Sequence, residues 1–132
     1  MSLRLLGHID LPENLKPGGF DHAAVHCGSD RLYVAHTAND AVDVIDCVHD
    51  RYLHSIENLA GVAGALVSDE QNLVFTSNRG ENTVGIFAPV MERIQTVPTE
   101  RDAHTLGFDA ERNKLYAFLP KTHRAAVYVD QD

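Results

Sequence analysis

A unit of about 42 residues occurs three times along this chain, and this repetition restricts the fold more strongly than any other feature. Corresponding apolar residues of successive units are separated by 41 or 42 positions. The matched sets are Leu32, Leu73 and Leu115; Val42, Val84 and Ala126; and Ile45, Phe87 and Val129. Because three sets agree, the chain is predicted to use one supersecondary motif repeatedly.

Each unit has the pattern of short β-strands joined by tight turns. The segments LYVA, LVFT and LYAF are runs of apolar, aromatic and β-branched residues, which are typical of strands buried on both faces. One strand precedes each run and another follows it, with turn-forming residues between them. In the first two units a fourth strand follows, from Tyr52 and from Arg93. The predicted fold class is therefore all-β, a β-propeller of four-stranded antiparallel blades with three blades in the chain.

The predicted strands, named a to d within a blade, divide the chain into one displaced strand and three units. The predicted bounds are 3–12 for the displaced strand, and 20–59, 60–99 and 100–132 for the units. The third unit has strands a to c and lacks strand d. The N-terminal segment supplies a counterpart, because Leu6 and Ile9 have the same spacing as Leu53 and Ile56.

The first unit resembles the YVTN-type β-propeller repeat, a lactonase-like family. The segment LYVAHTANDAVDVID, from Leu32, stands where that family has Leu-Tyr-Val-Thr-Asn followed by a Val-x-Val-Ile-Asp strand. The resemblance covers the chain from about Phe20 to its end. It implies a propeller fold but no single function, since the family includes lactonase-like proteins, haem-binding propellers of nitrite reductases and secreted proteins without assigned activity.

Three units are fewer than a closed ring needs. Members of this family usually have about seven blades, and closed propellers in general have about four to eight. Two copies related by a two-fold axis would supply about six, with the N-terminal strand of each copy completing the third unit of the other. The sequence therefore predicts a homodimer that forms a six-bladed propeller by strand exchange. Two alternatives stay open: the chain is a piece of a larger propeller, or a different chain completes the ring.

Charge and composition exclude two classes of partner. The 132 residues carry a formal net charge of −8 without a cluster of basic residues, so neither nucleic acid nor an anionic membrane surface is an expected partner. No apolar run is as long as the roughly 20 residues of a membrane-spanning helix. The start has no signal-peptide pattern, so the expected location is cytoplasmic, or periplasmic if a leader was removed. Cys27 and Cys47 are expected to lie two strand spacings apart, as free thiols.

Candidate binding residues fall in the loops that a propeller places around its central channel. These are the d–a and b–c connections, which are expected on one face of the ring. The predicted ligand-binding residues are His22, His36, Asn39, Asn78, Arg79, Asn82, His104, Lys121, His123 and Arg124. The basic side chains would hold an anionic ligand. The alternatives are that these charges are solvated, that the asparagines stabilise turns and that His36 is a hydrogen bonder at a strand end.

A metal site is a second possibility at the same face. His22 and His104 are predicted at near-equivalent positions on the innermost strands, with Asp21 nearby. A dimer would place four such imidazoles around one channel, where these residues could hold a divalent transition metal. The alternative is that histidine is tolerated in a polar channel, where it hydrogen-bonds to water or to a neighbouring loop.

The function predicted from these features is binding. The chain contains no Gly-rich phosphate loop and no G-x-S-x-G, HExxH or CxxC motif, so no catalytic residue is assigned. The leading hypothesis is a propeller module that offers its channel face to a small molecule or a protein partner. The alternatives are a lactonase-like hydrolase with a channel metal held by histidines, and a structural half of a larger propeller.

Overall fold

The computed structural model describes residues 2–88 and 92–129, and every regular element longer than three residues in them is a β-strand. The strands are β1 Ala23–His26, β2 Arg31–His36, β3 Ala41–Asp46, β4 Arg51–Ile56, β5 Val62–Ser68, β6 Leu73–Asn78, β7 Thr83–Phe87, β8 Arg93–Pro98, β9 Thr105–Asp109, β10 Lys114–Leu119 and β11 Arg124–Val129. They form three antiparallel sheets in chain order, β1–β4, β5–β8 and β9–β11. No helix in the described residues is long and apolar enough to span a membrane.

The predicted all-β fold of antiparallel blades is confirmed, with strands a to d in two sheets and a to c in the third. The segment 3–12 has no strand conformation, and none of the strands in residues 2–88 and 92–129 pairs with it. Its predicted pairing with a second copy stays a prediction. The predicted second and third units also include residues 89–91 and 130–132, which lie outside the described residues.

The strand pairing corrects the predicted register of the third unit by one residue. Leu32 pairs with Ile45, and its counterpart in the second sheet is Val74 paired with Phe87. The corresponding pair in the third sheet is Leu115 with Tyr128. The residues that match Phe87 and Val84 are therefore Tyr128 and Ala125, and the predicted Val129 and Ala126 each lie one position too far along the chain. The second unit is therefore offset by 42 residues from the first, and the third by 41 from the second.

Residues in the left-handed region mark the same two turns in every sheet. Three lie between strands a and b, and three between strands b and c: Asp30, Asn72 and Asn113, and Asp40, Asn82 and His123, with φ between 50° and 57°. Aspartate and asparagine adopt this conformation more readily than most residues. The predicted turn-forming clusters are thus the turns, and they keep the offsets of 42 and 41 residues.

The hydrophobic core lies between successive sheets. The larger cluster, between the first and second sheets, consists of Tyr33, Ala35, Val42, Val44, Leu59, Val62, Val74 and Phe87. The smaller cluster, between the second and third sheets, contains Phe75, Val84 and Leu115. Within one chain the LYAF strand is covered on one face only, since Phe118 on its other face is 49% exposed, and its burial on both faces stays a prediction.

The first strand of each sheet is the innermost, and these strands contact one another. β1 lies against β5, and β5 lies against β9. The backbone N–H of His22 donates to the carbonyl of Ala63 at 3.1 Å. Between the second and third sheets, the Gly64 N–H donates a hydrogen bond to Ser77 Oγ, and Ser77 Oγ donates one to the carbonyl of His104, both at 2.7 Å. The sheets therefore meet along their inner strands, as propeller blades do around a channel.

Cys27 and Cys47 are both free and exposed, which confirms the predicted thiols. Desolvation, followed by the charges of Asp30, Asp46 and Asp50, raises the pKa of the Cys47 thiol. Because the thiolate is the reactive form, Cys47 should be alkylated slowly at pH 7 and faster at pH 9. Mass spectrometry of N-ethylmaleimide labelling in a Cys27→Ser chain measures this rate. A rate at pH 7 equal to that of the same chain unfolded in urea would contradict it.

Candidate functional site

The d–a and b–c connections meet at one end of the blades, as predicted. The Leu59 N–H donates to the carbonyl of Asp40 at 2.8 Å, and the Thr99 N–H donates to that of Asn82 at 2.7 Å. These two bonds are equivalent in the first and second sheets. We call this end the loop face, which comprises residues 13–22, 37–40, 57–61, 79–82, 99–104 and 120–124.

The segment 13–20 lies over the b–c turn of the first sheet. Asn39 accepts a hydrogen bond from the Leu15 N–H at 2.7 Å and donates one to the Glu13 carbonyl at 2.9 Å. Lys16 Nζ is 2.5 Å from Asp40 Oδ2. The Lys16 hydrogen bond, together with the Gly61 N–H, lowers the pKa of the Asp40 carboxyl. Asn39 therefore anchors this segment rather than pointing free into a channel.

His36 is not available to a ligand, which corrects its assignment to the channel face. The side chain is fully buried, with Nδ1 2.7 Å from Asp43 Oδ2 and Nε2 2.6 Å from Asn14 Oδ1. Phe20 stacks on the imidazole with ring centroids 4.2 Å apart. Both ring nitrogens thus face oxygen atoms inside the first blade, in agreement with the alternative of a hydrogen-bonding residue at a strand end.

Asn78 is a second buried residue among the predicted ligands. Its side chain accepts a hydrogen bond from Thr76 Oγ1 at 3.0 Å and donates one to Thr83 Oγ1 at 3.2 Å. These bonds hold the b–c turn of the second sheet, where Asn82 is the left-handed residue. Both asparagines therefore stabilise the turn, and neither the Asn78 amide nor the His36 ring is exposed for binding.

His22 and His104 immediately precede the innermost strands β1 and β9, but they are one residue out of register with each other. His22 corresponds to Gly64, whereas His104 corresponds to Ala63, whose carbonyl accepts the equivalent inter-sheet hydrogen bond. His22 Nε2 is 3.1 Å from Asp21 Oδ1, and its side chain is 58% exposed. His104 Nδ1 is 2.9 Å from the Asp102 carbonyl. Each histidine therefore has one ring nitrogen bound and one without a partner among the described residues.

The structure brings together two of the three predicted metal ligands, His22 and Asp21. Within residues 2–88 and 92–129 of one chain, no group of three histidine, cysteine, aspartate or glutamate side chains is arranged to hold a metal ion. The predicted site needs histidines from two copies, so it stays a prediction.

Three arginines of the loop face have no carboxylate partner among the described residues. They are Arg79, Arg101 and Arg124. At the opposite end of the blades, Arg51 pairs with Asp46 at 3.7 Å and Arg112 with Asp109 at 2.8 Å, whereas Arg31 and Arg93 form no ion pair with the described residues. Lys121, a predicted ligand residue, forms an ion pair with Asp102 at 3.2 Å, and His123 is an exposed left-handed turn residue.

Glu100 organises the loop face beside these arginines and was not among the residues that the sequence indicated. Its carboxylate accepts hydrogen bonds from the Thr122 hydroxyl at 2.6 Å and from the Lys121 N–H at 2.7 Å. The Thr122 bond is the main cause of the lowered pKa of the Glu100 carboxyl. Arg124 Nε donates to Thr122 Oγ1 at 3.1 Å, so the carboxylate fixes the turn that carries this guanidinium. The sequence signal for this role is weak, since Glu100 lies outside any motif.

No protein-family model and no curated protein matches the chain. Solved structures do match it. A proposed 6-phosphogluconolactonase from Bacteroides uniformis superimposes with a TM-score of 0.74 and 18% identity over 86% of this chain and 36% of that one. A proposed 6-phosphogluconolactonase from Bacteroides fragilis gives 0.74 and 14%, over 85% and 35%. A protein from Lactobacillus plantarum gives 0.73 and 17%, over 85% and 38%.

This chain thus spans little more than a third of the length of these neighbours. At such identities the likeness concerns the fold. The chain has the fold of lactonase-like β-propeller proteins.

Proposed function

We propose that the loop face binds a small anionic molecule, of the class of phosphorylated sugar acids. The observation that carries this proposal is the set of loop-face arginines without a carboxylate partner among the described residues, Arg79, Arg101 and Arg124, in a chain of net charge −8. At the opposite end, carboxylates pair with Arg51 and Arg112. Guanidinium groups left without a carboxylate match the geometry of phosphate and carboxylate oxygens.

Calorimetric titration with 6-phosphogluconate tests the proposal, because this probe carries both a phosphate and a carboxylate. Arg79→Gln and Arg101→Gln should each raise Kd about tenfold, which is about 1.4 kcal/mol of binding free energy. Arg112→Gln is the matched control, since that arginine is paired with Asp109 at the other end of the blade and should leave Kd unchanged. Higher salt should weaken binding. Equal Kd in all three variants, or no binding at millimolar probe, would contradict the proposal.

A second candidate is lactone hydrolysis, which the likeness to proposed lactonases and the His22–Asp21 pair favour. With Nε2 held by Asp21, His22 Nδ1 would take a proton from water. The resulting hydroxide attacks the lactone carbonyl carbon, the ring C–O bond breaks, and the leaving oxygen takes up the proton. In the alternative form of this site, a divalent metal held by His22, His104 and Asp21, from two copies, would polarise the carbonyl oxygen, and His22 would then be a ligand instead of the base.

Hydrolysis of 6-phosphogluconolactone above its spontaneous rate is the measurement for this second candidate. His22→Gln should remove the acceleration, because the amide cannot accept the proton at neutral pH. His49→Gln is the control, since His49 is an exposed histidine with a similar contact, 2.9 Å from Asp46, at the opposite end. Hydrolysis by the unsubstituted chain at the spontaneous rate would exclude lactonase activity and would leave the binding proposal to its own titration.

A further inference from the structure

Among the described residues, the third sheet has no counterpart of the strand that completes each of the other two. β3 pairs with β4 and β7 with β8, but the one described partner of β11 is β10. The turn of the third sheet shows the same gap. The carbonyls of Asp40 and Asn82 accept hydrogen bonds from Leu59 and Thr99, and no described backbone N–H donates to the equivalent carbonyl of His123. An unpaired strand edge of this kind is a template for a strand from another chain.

The face of the third sheet that points away from the second sheet is apolar and uncovered. Its exposed residues include Phe118, Val127 and Val129, at 49%, 55% and 54%. The corresponding face of the second sheet is covered by the third sheet and carries the buried side chains of Phe75 and Val84. This face is built from the same repeat as the covered face of the second sheet. Its exposure therefore indicates that another blade packs against it.

The N-terminal segment, residues 3–12, has the features of a strand d that is not paired within the described residues. Residues 3–12 pair with none of the described strands, and Leu3, Leu5 and Leu6 are 89%, 76% and 78% exposed. Leu6 and Ile9 have the spacing of Leu53 and Ile56 in β4. The following residues, 13–20, are fixed on the first sheet through Asn39. The segment is therefore a strand d in sequence, attached to the first blade.

We propose that residues 3–12 of a second copy pair with β11 as the fourth strand of the third blade, and that reciprocal exchange closes two arcs into one ring. The first sheet of the second copy then covers Phe118 and Val127, bringing its own exposed Val25 into the interface. This inference concerns assembly and does not depend on the proposed ligand. It does complete the loop face, because the innermost β1 of each copy comes to lie beside β9 of the other.

The pairing in the other two sheets fixes the register of the exchanged strand. Val42 pairs with Ile56 and Val84 with Val97. The residue of the third sheet that corresponds to Val84 is Ala125, because the third unit is offset from the second by 41 residues. Ile9 matches Ile56 and Val97, so Ile9 of one copy is placed opposite Ala125 of the other.

The mass of the purified chain, measured by light scattering and sedimentation at micromolar concentration, is the first test. The expected mass is twice the 14.5 kDa of one chain. Leu3→Glu with Leu6→Glu should shift it to one chain mass with an unchanged circular dichroism spectrum, because both side chains are exposed within the chain. Leu15→Glu, an equally exposed leucine outside the segment, should remain a dimer. A stable monomer, another assembly mass, or a dimer unaffected by the double substitution would overturn the proposal.

A cysteine pair tests the register directly. In a chain with Cys27→Ser and Cys47→Ser, the substitutions Ile9→Cys and Ala125→Cys should give a disulfide-linked dimer on mild oxidation, since directly opposed residues in an antiparallel pair are within disulfide reach. Ile9→Cys with Ala126→Cys should cross-link at least tenfold more slowly, because Ala126 points to the other face. Cross-links that form within single chains, or equally in both variants, would contradict the exchanged strand.

Discussion

Replacing Asp43 with alanine should lower the free energy of unfolding by about 4 kcal/mol, the largest effect we expect of a single substitution. The Asp43 carboxylate is fully buried and lies 2.7 Å from both His36 Nδ1 and Ser55 Oγ. Tyr52 extends the network, with its hydroxyl 2.7 Å from Ser55 Oγ. Without the carboxylate, Nδ1 of the fully buried His36 loses its partner inside the first blade, and the half-buried Ser55 hydroxyl loses one of its two hydrogen bonds.

Urea unfolding followed by circular dichroism measures this effect. Ser55→Ala removes one of the two partners and should cost about 1 kcal/mol. Glu70→Ala is the control, since that carboxylate is exposed and makes no hydrogen bond with the described residues; its effect should be within about 0.5 kcal/mol. A loss at Asp43 no larger than that at Glu70 would show that the buried network adds nothing to stability.

Replacing Gly64 with alanine should cost about 3 kcal/mol, because the inner strands approach too closely there for a side chain. A Cβ atom at this position would lie 2.4 Å from Ser77 Oγ and 2.7 Å from the His104 carbonyl oxygen. Ser77 can rotate, but the carbonyl belongs to the backbone that leads directly into β9, so the third sheet has to move. The movement also breaks the Gly64–Ser77–His104 hydrogen-bond relay between the two sheets.

The matched control is Gly107→Ala, in the innermost strand of the third sheet. No atom lies within 4 Å of a Cβ placed there, so the free energy of unfolding should change by no more than about 0.5 kcal/mol. Both variants change one glycine of an inner strand to the same residue, and only the space available differs. Equal unfolding midpoints for the two would mean that the second and third sheets do not pack as described.

The strands and turns were predictable from the sequence, whereas the register of the third unit was not. Strands buried on both faces carry apolar residues at consecutive positions, so a shift of one residue leaves the pattern almost unchanged. Leu115 and Val129 were matched with partners one position away for this reason. The turn residues Asn72 and Asn113 keep the correct offset, because the left-handed conformation restricts which residue occupies each position.

Part of the candidate site was predictable as well. The loops were assigned to one end of the blades because antiparallel strands alternate in direction, and that assignment depends only on topology. Burial of individual polar side chains was harder to predict. His36 and Asn78 each end strand b, and both side chains are buried in the blade. Arg79, one residue after Asn78, has no carboxylate partner among the described residues. The sequence did contain a signal for the buried network, since Asp43 interrupts the apolar run of a doubly buried strand and therefore requires a polar partner.

The joint between consecutive blades has a consequence for how such proteins change in evolution. The carbonyl of the left-handed b–c turn residue, Asp40 or Asn82, accepts a hydrogen bond from the N–H of a residue one to three positions after strand d, Leu59 or Thr99. Each joint involves only neighbouring units, so none of these contacts depends on how many blades the protein has. Gene duplication can therefore add a unit, and recombination can remove one, while every remaining joint keeps its own atoms and its own geometry.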